Sequence, residues 1–202
     1  VPFTGLAGLG FLTRTMERQT EAFNRSPEIA RETAHFRERI AGIGSAADLV
    51  ADRRLLAVAL GAFGLQDDLD NRFFVRRVLE DGTQAADALS NRLADKRYRA
   101  FAEAFGFGTP GGGRTATPGF AGRIVAAFEE RQFEIAVGDR DQTLRLALNA
   151  RRELPELAGR AAGDRTLLFE VLGNRALRQV FETGLGLPQA FGTLDIDRQA
   201  DV

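Results

Sequence analysis

Apolar residues recur along most of this chain at steps of three and four, the spacing that lines one face of a helix. Residues 27–43 give the first clear case. Phe36, Ile40 and Ile43 follow Pro27 at the first helical position, and Ser26 is placed to cap the start. Ser45 is placed to cap a short helix through Leu49 and Val50. Asp52 is placed to cap the next one, whose run Leu55-Leu56-Ala57-Val58-Ala59-Leu60 is apolar on every side and so belongs at the centre of a fold. Gly61 and Gly64 mark its end. Asp67 or Asp68 starts a further helix through Leu69, Phe73, Phe74, Val78 and Leu79, which stops near Gly82. Residues 85–105 carry Leu89, Leu93, Tyr98, Phe101 and Phe105 and read as two helices divided near Asp95.

The stretch 106–119 (GFGTPGGGRTATPG) is too rich in Gly and Pro for regular structure and reads as a linker. After it, 120–138 reads as a helix through Phe120, Ile124, Phe128 and Ile135. Another runs over 141–154, started by Asp139 or Asp141 and carrying Leu144, Leu148 and Leu154. Pro155 and Gly163 break the chain before a last helical block at 165–185. No stretch sustains the alternation of a strand. The fold class expected is all-α: a multi-helix bundle of roughly 8–10 helices, with about 70% of residues helical against a base rate near a third. Residues 1–105 form its N-terminal half and 120–202 its C-terminal half, joined by 106–119 and packed as one domain.

An internal echo runs through the chain. Asp52-Arg53-Arg54-Leu55 through Phe63-Gly64-Leu65 resembles Asn174-Arg175-Ala176-Leu177 through Leu185-Gly186-Leu187 at a constant offset. Asp95-Lys96-Arg97-Tyr98 through Phe105-Gly106-Phe107 is a shorter third version. Each is an Asp or Asn cap, a basic residue, apolar helix, then Gly and a hydrophobic residue. Any capped helix shares that recipe; a true repeat implies paired helical hairpins.

Composition narrows the chemistry. The chain has 202 residues, 44% of them hydrophobic and 27% charged, a globular balance. Its 27 basic and 28 acidic residues leave a formal charge of −1, which argues against nucleic acid or an anionic membrane as the main partner. Nearly all the basic residues are Arg, with Lys96 the single Lys, a bias that a high-GC genome explains. The absence of Cys excludes disulfide scaffolds, thiolate metal sites and cysteine nucleophiles. One His, His35, excludes a multi-histidine metal site within the chain. No apolar run approaches ~20 residues, so no membrane span is expected. The start, VPFTGLAGLGFLTRT, lacks the charged lead of a secretory signal.

Several constellations invite a chemical reading. Gly108 to Thr115 mimics a phosphate loop with Arg114 in place of Lys, but a helix rather than a strand precedes it, and Thr117-Pro118-Gly119 delays the next helix. Gly5, Gly8 and Gly10 lack the βαβ context of a dinucleotide fingerprint. Asp67, Asp68 and Asp70 lack the turn Gly and terminal Glu of a calcium loop, and helix capping explains them more simply. Glu130 and Glu134 share a helix face as carboxylates of a di-metal site do, yet Glu32 and His35 offer a single Glu-x-x-His. His35, with Glu32 and Glu38 nearby, reads as a helix-face residue paired with an acid. Arg53-Arg54, Arg76-Arg77, Arg97 and Arg99, and Arg151-Arg152 are interleaved with acids, the pattern of solvated ion pairs. Asp95, Arg97 and Tyr98 could form a buried polar node that fixes how two helices meet. No Ser or Thr sits beside a positioned base. No catalytic, cofactor-binding or metal-binding residue is assigned, no cofactor is expected, and an enzyme is not expected.

Four stretches then resemble a bacterial family known as domain of unknown function 1217, found mainly in alphaproteobacteria. They are Arg31 to Ile40; Ala47 to Leu56 with Ala62-Phe-Gly-Leu65; Asn91 to Tyr98; and Phe181 to Pro188 with Asp195 to Gln199. Members tend to be encoded among flagellar genes, and no catalytic residue is established for them. They usually continue past Asp195-Ile-Asp197 with more helix, so the resemblance implies a C-terminal part beyond Val202 whose absence exposes apolar surface. It implies a non-enzymatic helical protein associated with the flagellum in an assembly, structural or accessory role through protein–protein contacts. Its partner would be a flagellar protein, with no nucleic acid. Its location would be the cytoplasm, or outside after export with the flagellum without a cleavable signal peptide. The alternative is a small-molecule or phosphate-binding regulatory domain that uses Arg114 and nearby backbone amides.

Overall fold

The computed structural model describes the backbone of residues 5–201 and the side chains of 14–188 and 190–201. Twelve α-helices and three short 3-10 helices together account for 72% of the chain, and among the described residues there is no strand. In order the α-helices are α1 (Gly5–Asn24), α2 (Pro27–Arg39), α3 (Ala46–Ala51), α4 (Arg53–Phe63), α5 (Arg72–Asp81), α6 (Leu89–Arg92), α7 (Arg97–Phe105), α8 (Phe120–Gly138), α9 (Gln142–Ala158), α10 (Asp164–Gly173), α11 (Arg175–Gly184) and α12 (Ile196–Ala200). They form two compact units. The N-terminal unit is Glu17–Phe133; the C-terminal unit is Glu134 onward with the start of the chain up to Met16.

This division differs from a split at 106–119. That segment is non-helical, as its composition predicts, but it lies wholly inside the N-terminal unit and is tied down there. The Arg114 amide donates to Phe105 O at 2.8 Å, and the buried Thr115 hydroxyl donates to Ile43 O at 2.6 Å. Gly108 lies so close to Gly82 that a Cβ there would come within 2.5 Å of the Gly82 nitrogen. Glycine content set the shape of this segment, and these contacts decided its place.

The core of the N-terminal unit is built around α4. Leu55, Leu56, Val58, Ala59 and Leu60 are buried on all sides among Phe36, Ile40, Leu49, Phe101, Phe105 and Phe120. Burying a side chain of that size is worth about 1.5–3 kcal/mol, which makes this the main stabilising mass of the unit. Asp52 caps α4, accepting from the amides of Arg54 (3.0 Å) and Leu55 (3.1 Å). Gly64 ends it in the left-handed region at φ 71°, with Leu65 N bonded back to Leu60 O at 2.9 Å. Gly61 serves differently: it lies within α4, where a Cβ would meet the Phe128 ring at 2.7 Å.

Some local expectations shift. Ser26 makes no capping bond, and Pro27 alone marks the start of α2. Asp67 and Asp68 sit in a short 3-10 turn, and α5 begins at Arg72. Helix α9 continues through Pro155 to Ala158. A proline removes one backbone bond, but Leu154 and Leu157 on either side pack onto the core of Ala150, Val171 and Leu177, and that burial outweighs the loss. The block 165–185 is two helices, split where Asn174 caps α11.

The echo read in the sequence extends to whole elements. In the N-terminal unit α2 and α3 both pack on α4, and α3 packs on α5; in the C-terminal unit α9 and α10 both pack on α11, and α10 packs on α12. A 3-10 turn follows the third helix in each. Asp52 and Asn174 cap that helix through the same pair of amides. Gly64 (φ 71°) and Gly186 (φ 66°) follow it, and Leu187 N returns to Glu182 O as Leu65 N does to Leu60 O. Buried Leu49 and Leu55 correspond to buried Val171 and Leu177. Each unit therefore contains one copy of a helical module.

Candidate functional site

Each polar constellation weighed in the sequence has a place in the structure. His35 Nε2 lies 3.0 Å from Asp52 Oδ2, so its acid is the cap of α4 rather than a neighbour on its own helix. Burial works against the Asp52 carboxylate. Hydrogen bonds from the Leu55 amide, from His35 and from the Arg54 amide outweigh it and hold the group below its ordinary 3.8. Glu32 pairs with Arg54 at 3.1 Å and Arg53 with Asp70 at 2.6 Å. Beside this cluster lies an open depression of about 470 Å³ lined by Arg39, Ile43, Asp48, Ala51, Asp52 and Arg53. It alternates charge and has little apolar wall, unlike a site built to enclose a ligand.

The expected node of Asp95, Arg97 and Tyr98 exists, but at the surface rather than buried: the Arg97 side chain is 53% exposed. Arg97 Nε holds both Asp95 oxygens at 2.9–3.0 Å, and its Nη1 donates to Gly64 O. That bond to Arg97 keeps Asp95 below its ordinary value. The Tyr98 hydroxyl donates to Asp68, and burial together with that bond pushes its pKa up. These contacts tie α7 to the end of α4 and to the 3-10 turn after it, the helix-joining role the sequence suggested. Two of the three aspartates weighed as a calcium loop are thereby accounted for: Asp68 by Tyr98 and Asn71, Asp70 by Arg53.

A buried polar network lies in the C-terminal unit. Arg152 donates to Glu134 at 2.8 and 3.1 Å and pairs with Glu153 at 3.2 Å; the Arg152 and Glu134 side chains are 10% and 8% exposed. Glu153 also accepts from Asn149 and from Asn174, the cap of α11. It therefore stands to Asn174 as His35 stands to Asp52. Sequence reading placed Arg152 on a solvated face and Glu134 beside Glu130. The signal available was spacing: Arg152 continues the step of four set by the buried Leu144 and Leu148, which points it inward.

The remaining constellations do not gather. Gly5, Gly8 and Gly10 lie within helix α1, not in a phosphate-binding turn. In the loop 108–115 the amides of Thr109, Gly112 and Arg114 bond to carbonyls of the chain itself, so they do not converge on an anion. Among the described residues no group of three or more His, Asp or Glu is placed to hold a metal ion, and no helix is long and apolar enough to cross a membrane.

Comparison with known proteins gives the same architecture. Residues 62–202 match the model of a family described as a protein of unknown function (DUF1217). The chain belongs to this family. Its fold is similar to the crystal structure of protein AGR_C_984 from Agrobacterium tumefaciens, with a TM-score of 0.80 and 29% identity over 96% of this chain and 79% of that one. No curated protein matches it.

Proposed function

We propose that this DUF1217 chain is a non-enzymatic helical protein that serves the bacterial flagellum through protein–protein contacts, in assembly or as an accessory part. The observation that carries the non-enzymatic reading is how its polar groups are used. His35, Asp52, Asp95, Arg97, Glu134 and Arg152 each join helices or cap one, and a catalytic centre instead leaves its acid or base facing an enclosed space. The resemblance to a family encoded among flagellar genes supplies the setting. A Cys-free chain suits either the cytoplasm or passage through the flagellar export route. The phosphate-binding alternative gains no support, because the amides of Thr109, Gly112 and Arg114 in the loop that would cradle the anion are already bonded to carbonyls of the chain.

The test is deletion of the gene, with swimming motility and basal-body integrity scored. Reduced swimming restored by the gene in trans is the expected result. A deletion strain with normal motility and intact basal bodies overturns the flagellar reading.

A further inference from the structure

Helix α5 leaves its second residue outside the fold. Phe73 is 85% exposed, the highest value for a large hydrophobic residue among the described residues. Its neighbour Phe74 serves the core instead, packing edge-on against Tyr98 with centroids 5.3 Å apart, while Val75, Val78 and Leu79 fill the buried side of the helix. Nor does the helical module require an apolar residue at this place. At the offset that matches Asp52 to Asn174, Phe73 corresponds to Asp195, the polar cap of α12. One exposed ring is ordinary on a protein surface, so its meaning depends on what surrounds it.

The surroundings are ordered by charge. Asp70 lies three residues before Phe73 and Arg76 three residues after it, with side chains 82% and 49% exposed. Helical spacing puts Arg76 and Arg77 on the Phe73 side of α5, one turn on, and Arg72 beside them; all three are exposed. Asp70 stands in the field of Arg72 and pairs with Arg53 through Oδ1 at 2.6 Å. Arg76 pairs with Glu80 at 2.7 Å. Both pairs are open to water and weak, so neither keeps its members from a further partner. The strip reads acid, phenyl ring, base at equal steps. Turned end for end, it reads base, ring, acid. A twofold axis through Phe73 therefore sets ring against ring and brings each Arg76 opposite Asp70 of the other copy. A patch that is complementary to itself in this way is what an isologous contact requires. An axis moved toward the middle of α5 would instead oppose arginine to arginine, which excludes that register.

We propose that α5 pairs antiparallel with α5 of a second copy of this chain, with the two Phe73 rings at the axis and Arg76 facing Asp70 on either side. The rings are the anchor, and the two charge pairs fix the register. One helix and the turn before it make a small contact, so the dimer is weak and forms as concentration rises. The proposal goes beyond the flagellar reading and does not depend on it.

Sedimentation velocity of the full chain over a concentration series is the test. A dimer fraction that grows with concentration is expected. Phe73→Ser changes a residue outside the core, and it should weaken the association at least about tenfold with unchanged circular dichroism. Asp70→Arg and Arg76→Asp chains, also of unchanged circular dichroism, each bring like charges together and should lose most of the association. An equimolar mixture of those two chains should recover it, because each reversed residue then meets its opposite. A chain that stays monomeric throughout overturns the proposal. So does association indifferent to Phe73→Ser or to the charge reversals, or a mixture that sediments like its separate components. None of these results bears on motility, so the two readings fall separately.

Discussion

Replacing Asp52 by alanine removes two things at once: the cap of the most buried helix in the N-terminal unit, and the acid that holds His35. Loss of a side-chain cap costs about 0.5–2 kcal/mol, and Asp52 sits in the upper part of that range because it accepts from two amides. The pair with His35 is about a fifth to a quarter exposed on each side, so solvent screens it and it adds about 0.2–1 kcal/mol. The combined loss is about 1–3 kcal/mol. Asp52→Asn keeps an oxygen for the amides and gives up only the charge, as Asn174 does naturally at the matching cap, so it should lose less than about 1 kcal/mol. Urea unfolding followed by far-ultraviolet circular dichroism at pH 7 measures both, with hydrogen exchange of the α4 amides locating the loss. The pH dependence has a definite sign. The folded carboxylate is held below 3.8, so its charge-linked stability is fully present above that value and is lost as the pH falls beneath it toward the folded value. The gap between wild type and Asp52→Asn should close over that interval. An Asp52→Ala chain within about 0.5 kcal/mol of wild type, or Asn as damaging as Ala, would refute the account.

Two further substitutions probe the rest of the structure. Gly108→Ala forces a Cβ to within 2.6 Å of backbone atoms of Glu80 and Gly82, and with backbone on both sides it should cost about 1–3 kcal/mol; Gly111→Ala, with nothing within 4 Å, should change the urea midpoint little. Equal effects at the two positions would mean that the loop is not seated on the end of α5. Arg152→Met leaves Glu134 buried without its partner and should lose about 3–5 kcal/mol, while the double variant with Glu134→Gln should recover part of that loss. A double variant no better than Arg152→Met would indicate that Arg152 acts through its other contacts, with Glu153 first among them.

The N-terminal unit was more legible than the C-terminal one, for a local reason. The caps Ser45 and Asp52, the left-handed Gly64 and the all-apolar run of α4 write their structure into adjacent residues. Periodicity therefore placed α4, α8 and the break near Asp95 closely. It missed the continuation of α9 past Pro155, since that depends on Leu154 and Leu157 meeting Val171 and Leu177, residues distant in the chain. It likewise read Arg152 as solvated, because the carboxylate that neutralises it comes from another helix.

The echo between the two modules shows the same boundary. Sequence by itself determined the shared cap, apolar helix and terminal glycine, because each depends on bonds within a few residues. Only the tertiary structure decided that His35 would meet Asp52 while Glu153 meets Asn174, and that Phe101 and Tyr98 of α7 would pack on Phe63 and Phe74. Local rules fix backbone dihedrals and the first hydrogen bonds. Which face is buried depends on how much apolar area a distant helix can remove from water, a quantity that has no value until the chain has folded.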